Sequence, residues 1–178
     1  MPTHKTKELN CTFAAVDLET ANLSRYSACA IGVVLVENGR KVDEAYYLIR
    51  PPSKIFRFSD IHGIKYEDVH DAGDFRDVWP EIRHLFKAAD FLVAHNASFD
   101  QAVLAETMSY HGMRSHGKRF ACTARMAKQQ WGLKSVALPV LCESMKIPLN
   151  HHDALSDARA CAKIAIKGLR RGWSPLAK

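Results

Sequence analysis

Asp17 and Glu19 stand two residues apart at the end of the apolar run Thr12-Phe-Ala-Ala-Val. The alternation of a strand sends both carboxylates to one side and Leu18 to the other. Like charges held close raise each other's pKa unless a cation sits between them, so the pair suits a divalent metal. An acidic strand end in solvent is the alternative. Asp100 follows a second apolar run, Phe91-Leu-Val-Ala94, and its spacing to Val103, Leu104 and Thr107 puts it on the inward stripe of a helix. Favourable contact with the positive helix end accounts for an acid in the first turn, but not for one that faces a sheet. A third group is Asn150-His151-His152-Asp153-Ala154-Leu155-Ser156-Asp157. Here His152 precedes a final helix, and Asp157 lies more than a turn inside it, on the edge of the stripe continued by Cys161 and Ile164. Asp153 reads as an N-cap or first-turn acid and His151 as a surface residue or one behind the site.

The elements that must carry these residues are legible in turn. A central strand ends at Asp17. The β-rich runs from Ser27 to Glu37 and from Lys41 to Ile49 flank Asn38-Gly39, a strong hairpin signal. Pro51-Pro52 stops the third strand, and the stretch to Gly73 reads as a long loop with short helical turns. A helix over Val78 to Ala88 feeds the strand Phe91 to Ala94. Ser98 with Gln101 forms a capping box for the next helix, which Gly112 ends. A last strand spans Lys118 to Cys122, with helical stretches through Lys128, from Ser135 to Met145, and from Asp153 to Arg170. Strands first, partly as a hairpin, then strands alternating with helices, give an α/β class with a mixed sheet.

At 178 residues the chain is long enough for one domain, expected over 11–172, with a flexible N-terminus over 1–10 and a short tail over 173–178. Hydrophobic residues at 47% and charged residues at 25% exclude disordered and low-complexity classes. Lys plus Arg exceed Asp plus Glu by 25 − 19, or +6, which points to an anionic partner, nucleic acid first. The five cysteines are widely spaced with no C-x-x-C pair, so neither a disulfide framework nor a zinc finger is indicated. No apolar stretch is long enough for a membrane span, and the expected location is the cytoplasm.

In order and placement these residues resemble the DEDDh branch of the DEDD 3′→5′ exonucleases, whose members include the proofreading epsilon subunit of bacterial DNA polymerase III. Asp17 and Glu19 match the first motif, Asp100 the second, and His152 with Asp157 the third. Ile61-His62-Gly63-Ile64 resembles the family's loop against the terminal nucleotide. The sequence departs from the pattern at Thr20-Ala21-Asn22 and at Lys65. The resemblance implies an RNase H-like fold, a central mixed five-stranded sheet flanked by helices. It implies two Mg²⁺ or Mn²⁺ ions held by Asp17, Glu19, Asp100 and Asp157, with His152 as general base. The implied partner is a nucleic acid with a free 3′ end, hydrolysed to nucleoside 5′-monophosphates, and any proofreading role needs a polymerase partner. Leu18, Thr20, His62, Ile64, Asn96 and Phe99 are the implied substrate contacts.

Two other readings stay open at this point. One is a catalytically silent nucleic-acid-binding or polymerase-accessory module, which has no need for acids that repel phosphate. The other is a zinc hydrolase built on His95, His151 and His152, which lacks any His/Cys ligand spacing. Arg114, Lys118, Arg119, Arg125, Lys128 and Lys134 form an acid-free basic stretch that suits a phosphate backbone or an ordinary solvated face. The later cluster Lys163, Lys167, Arg170 and Arg171 carries the same two readings.

Overall fold

The computed structural model describes residues 9–175. Strand β1 (Thr12–Thr20) lies at the centre of a five-stranded sheet of order β3-β2-β1-β4-β5. It pairs antiparallel with β2 (Ala28–Glu37), which pairs antiparallel with β3 (Arg40–Leu48). On its other side β1 runs parallel to β4 (Phe91–Ala94), and β4 parallel to β5 (Phe120–Cys122). The Asn38-Gly39 turn has positive φ at both residues, 50° and 77°, as a tight hairpin of matching twist requires.

Alternation on these strands fills two separate cores. Ala14, Val16 and Leu18 of β1 face helices α3 (Phe75–Ala88) and α4 (Ala97–Tyr110), meeting Phe75, Ile82, Val103 and Leu104. Phe13 and Ala15 face the other way, onto Ala158, Cys161 and Ala165 of α7 (Ala154–Arg170). Behind α7, helices α5 (Thr123–Trp131) and α6 (Leu138–Met145) close a third cluster around Met126, Leu141 and Ile164. The long connection after β3 holds the single turns α1 (Ser59–His62) and α2 (Tyr66–Val69).

Several local expectations are corrected. Helix α4 begins at Ala97, so Ser98 is its second residue and forms no capping box. Its N-cap is Asn96, which takes the left-handed conformation (φ 64°) that Asn tolerates better than most residues. Helix α3 starts three residues before Val78, because Asp74 accepts from the Arg76 N–H at 2.7 Å and closes the first turn. Helix α6 starts at Leu138 rather than Ser135, with Pro139 seated in its first turn. Leu9 and Trp173, at either end of the described chain, both rest on the α7 side of the core. The remainder of the expected N-terminal and C-terminal tails, 1–8 and 176–178, lies outside the described residues. Among the described residues, no helix is long and apolar enough to cross a membrane.

Gly32 of β2 sits opposite Asp17 in register. A Cβ there would fall on the carbonyl of Ala154 at the start of α7. The absent side chain lets the helix N-terminus press against the sheet, so that the His152–Asp157 segment reaches the end of β1.

Candidate active site

β1 is longer than its parallel partner. Its pairing with β4 ends at Ala15–Val93, so Asp17 and Glu19 continue along β1 with β2 on one side and, among the described residues, no strand on the other. Into that fork comes Asp100 from α4, only 2% exposed, whose Oδ1 accepts the Leu18 N–H at 3.1 Å. From the other face of the sheet comes Asp157, the fourth residue of α7 and so nearer its start than expected, 3% exposed.

The turn before α7 fixes that carboxylate. Asp153 caps the helix by accepting from the Ser156 N–H at 2.7 Å, and the Asn150 N–H donates to Ser156 Oγ at 2.8 Å. Within the turn His152 takes a left-handed backbone (φ 68°), an uncommon conformation for a side chain of its size. Its N–H donates to Asp157 Oδ2 at 3.1 Å, and His151 Nδ1 donates to the same oxygen at 2.8 Å. The two imidazoles stack at 3.8 Å, and His152 Nδ1 lies 3.9 Å from Glu19 Oε1. Asp157 Oδ1 is buried without a hydrogen-bond partner among the described residues. Ligand oxygens of Asp17, Glu19 and Asp157 lie within 4.8 Å of one another.

Electrostatics here run against ionisation. Burial first, then Asp100, Asp157 and Glu19, push the Asp17 pKa well above the usual carboxylate range. Burial, then Asp157 and Asp100, push Glu19 up to about 8. Burial raises Asp100 and Asp157 as well, opposed at Asp157 by the donors from His152 and His151. His152 moves the other way: burial and the neighbouring His151 lower it, against an opposing pull from Asp157. Hard oxygen donors, mutual repulsion and one orphaned buried oxygen all fit bound divalent cations.

Around the acids lies a cavity of about 430 Å³ lined by Leu18, Thr20, His62, Asn96 and Phe99, all singled out from sequence. Ile64 is not among its lining residues. Gly63, in the left-handed region at φ 78°, ends α1 and turns the chain away. Ile64 therefore faces an adjoining cavity of about 360 Å³, and Ile61, with Phe58, lines the acid-bearing one. His62 is a tie across the mouth: its Nδ1 accepts the Ile64 N–H at 3.1 Å, so Nε2 carries the proton and donates to the Thr20 carbonyl at 3.1 Å.

His95, grouped with two other histidines as a possible zinc ligand, has both ring nitrogens engaged. Nδ1 lies 2.9 Å from Thr123 Oγ1, and Nε2 donates to the Val136 carbonyl at 2.8 Å. It ties the end of β4 to α5 and to the segment leading into α6, a role the sequence reading missed. Its place next to the second acidic motif was the available signal. Lys118, grouped with the basic stretch, is spent elsewhere, donating to the Ala89 carbonyl at 2.5 Å beyond the end of α3.

The model of the RNase T exonuclease family matches residues 14–165, from β1 into α7, and so spans every acidic residue of the site. The chain belongs to this exonuclease family. Its fold, a mixed five-stranded sheet flanked by helices, is RNase H-like, and the family uses divalent metal ions. Among similar proteins, the PolC-type DNA polymerase III of Thermotoga petrophila is 32% identical over 162 residues. That match takes in 89% of this chain but 12% of the polymerase, so the chain spans about an eighth of the length of that relative. Exodeoxyribonuclease 10 of Escherichia coli K12 is 29% identical over 167 residues, covering 89% of this chain and 70% of that one. The structure of exonuclease X in complex with 5′ overhanging duplex DNA superimposes with a TM-score of 0.75 at 26% identity. That superposition covers 92% of this chain and 95% of the other. The nuclease domain of 3′hExo, described as a DEDDh family member bound to rAMP, shares the fold with a TM-score of 0.76 at 16% identity.

Proposed function

We propose that this exonuclease hydrolyses phosphodiester bonds from the 3′ end of a nucleic acid and releases nucleoside 5′-monophosphates. The observation that carries this reading is the convergence of Asp17, Glu19, Asp100 and Asp157 from three segments beside His152. Asp17, Glu19, Asp100 and Asp157 would hold two divalent cations, Mg²⁺ or Mn²⁺. When bound, these lower the pKa of an attacking water and neutralise charge on the leaving 3′ oxygen.

The chain's own residues do the rest. His152 takes the proton from the attacking water; its side chain is 40% exposed, so the proton has a route to solvent. Asp157 is held by the His152 N–H and by His151 through one oxygen, which leaves the other free for a cation. Leu18, Thr20 and His62 line the space for the terminal nucleotide, and Phe99, 40% exposed at the cavity mouth, offers a ring for stacking. The names of the relatives support DNA as substrate and a polymerase as a working partner.

The test is digestion of 5′-labelled single-stranded DNA and RNA with Mg²⁺, beside chelator and Asp17→Asn controls. A ladder shortening from the 3′ end and lost in both controls is the expected result. Binding without cleavage would transfer the chain to the silent-module reading.

A further inference from the structure

Between α5 and α6 the chain passes the acid-bearing cavity as a short strap. Gly132 ends α5 in the left-handed region at φ 61°, and Leu138 opens α6 with Pro139 in its first turn. Where the strap meets α6, Ala137, Leu138 and Pro139 form one wall of the cavity. The strap is lightly attached. Leu133 and Val136 pack half-buried on the cluster around Met126 and Leu141, while Lys134 and Ser135 are exposed. Among the described residues, the backbone of 133–136 makes one hydrogen bond, the one that the Val136 carbonyl accepts from His95 Nε2 at 2.8 Å.

A carbonyl oxygen can only accept, so His95 carries its proton on Nε2, and in the neutral ring Nδ1 is then an acceptor. Burial lowers the His95 pKa, which favours that neutral ring. The contacts behind it follow in one direction. Thr123 Oγ1 donates to Nδ1 at 2.9 Å, the Ala94 carbonyl being its more distant acceptor at 3.3 Å. The same oxygen lies 3.6 Å from Cys161 Sγ, whose thiol burial keeps protonated and so able to donate. Cys161 stands one turn beyond Asp157 on α7, so a chain of bonds runs from that turn through Thr123 and His95 to the strap.

We propose that His95 is a positioning residue that latches the strap 132–137 and so holds the Ala137–Pro139 wall of the cavity in place for the nucleotide. With both nitrogens engaged, its ring acts on the reaction only through what it holds. A wall that touches the nucleotide before and during the reaction contributes uniform binding, which shows in KM and not in kcat. When the latch is broken, binding must first order the strap, and affinity falls by that cost. The proposal rests on the exonuclease reading for where the nucleotide lies, but the state of the strap can be measured without it.

Three variants separate the two sides of the ring. His95→Gln keeps a donor at the Nε2 position, His95→Asn can still accept from Thr123 but falls short of Val136, and His95→Ala does neither. Each is digested with trypsin under native conditions, comparing cutting after Lys134 in the strap with cutting after Lys163 inside α7, and each is assayed on 5′-labelled single-stranded DNA in Mg²⁺. In the alanine and asparagine variants, cutting after Lys134 and KM should each rise roughly five- to tenfold, with kcat changed less than about twofold. Cutting after Lys163 should stay at the wild-type rate, and His95→Gln should return both quantities close to wild type. Equal acceleration at Lys134 and Lys163 marks a general loss of stability and overturns the latch. A fall in kcat at unchanged KM, or a glutamine variant no better than alanine, overturns it too. Absence of metal-dependent cleavage in every protein, wild type included, would strike the exonuclease reading, and the Lys134 rates would still decide the latch.

Discussion

Carboxylates at the centre and carboxylates on the outer face of this molecule are driven in opposite directions. Asp17 and Glu19 are buried among other acids, and Glu19 is pushed up to about 8. Glu44 on β3 is gripped by Arg159 of α7 through two hydrogen bonds, at 2.8 and 2.6 Å, with Lys41 at 2.8 Å, and is held down at about 2. Asp74, paired with Arg76 at the head of α3, is likewise held at about 2. The outer acids carry their cations within the chain and serve the fold. The inner ones have no lysine or arginine partner among the described residues, so their electrostatic balance waits on cations from solution.

Substitutions at the centre should show this contrast at its largest. Asp17→Asn is expected to cut kcat/KM by on the order of a thousandfold or more, since Asp17 neighbours every other acid of the site. Unchanged Mg²⁺ binding by calorimetry in that variant would remove it from the metal centre. His152→Ala should lower kcat by about 10²–10⁴ and leave the circular dichroism spectrum unchanged, because only proton transfer is lost. Near-wild-type turnover would end the general-base assignment.

A backbone test comes next. Gly32→Ala is expected to cost about 1–3 kcal/mol by urea titration and to lower activity as well, because α7 must retreat and carry Asp157 with it. Full activity in a folded Gly32→Ala protein would show that the close approach is not what sets the site.

The pH dependence sharpens the comparison further. The central acids have folded pKa values above their unfolded ones, so the unfolded chain sheds protons that the folded chain keeps. In chelator, stability should therefore fall as pH rises from about 4 to about 8, and Mg²⁺ should restore it. For Glu44 and Asp74 the sign reverses: their contribution is complete above about 4 and is lost as pH falls towards 2. Glu44→Gln should have the smallest effect, about 1 kcal/mol or less given its partial exposure, and should flatten only the acid limb. A flat profile in chelator between about 4 and 8 would contradict the raised central values.

Much of this was legible in the sequence where local chemistry decides conformation. Asn38-Gly39 announces its hairpin, and Asp153 its helix, because turn and cap preferences act within a few residues. The order of the acidic motifs carried the family, and the order of the elements carried the mixed sheet. What stayed hidden was set across the fold. Gly32 reads as an ordinary strand glycine until Ala154 is seen against it. His95 looks like a candidate ligand until Thr123 and Val136 occupy its nitrogens. Ile64 and Ile61 differ only by the left-handed turn at Gly63. Ser98 lost the cap to Asn96 because a strand ending at Ala94 leaves only two residues for the turn.

The fork between β1 and β4 has one more consequence. Past Ala15 the Leu18 N–H, which could have continued a ladder, is given to Asp100 across the layer boundary. That single amide becomes a gauge wired to the acidic cluster. Its proton resonance and exchange rate should register every change in the charge of Asp100, from protonation to arrival of a cation, without any probe attached to the enzyme.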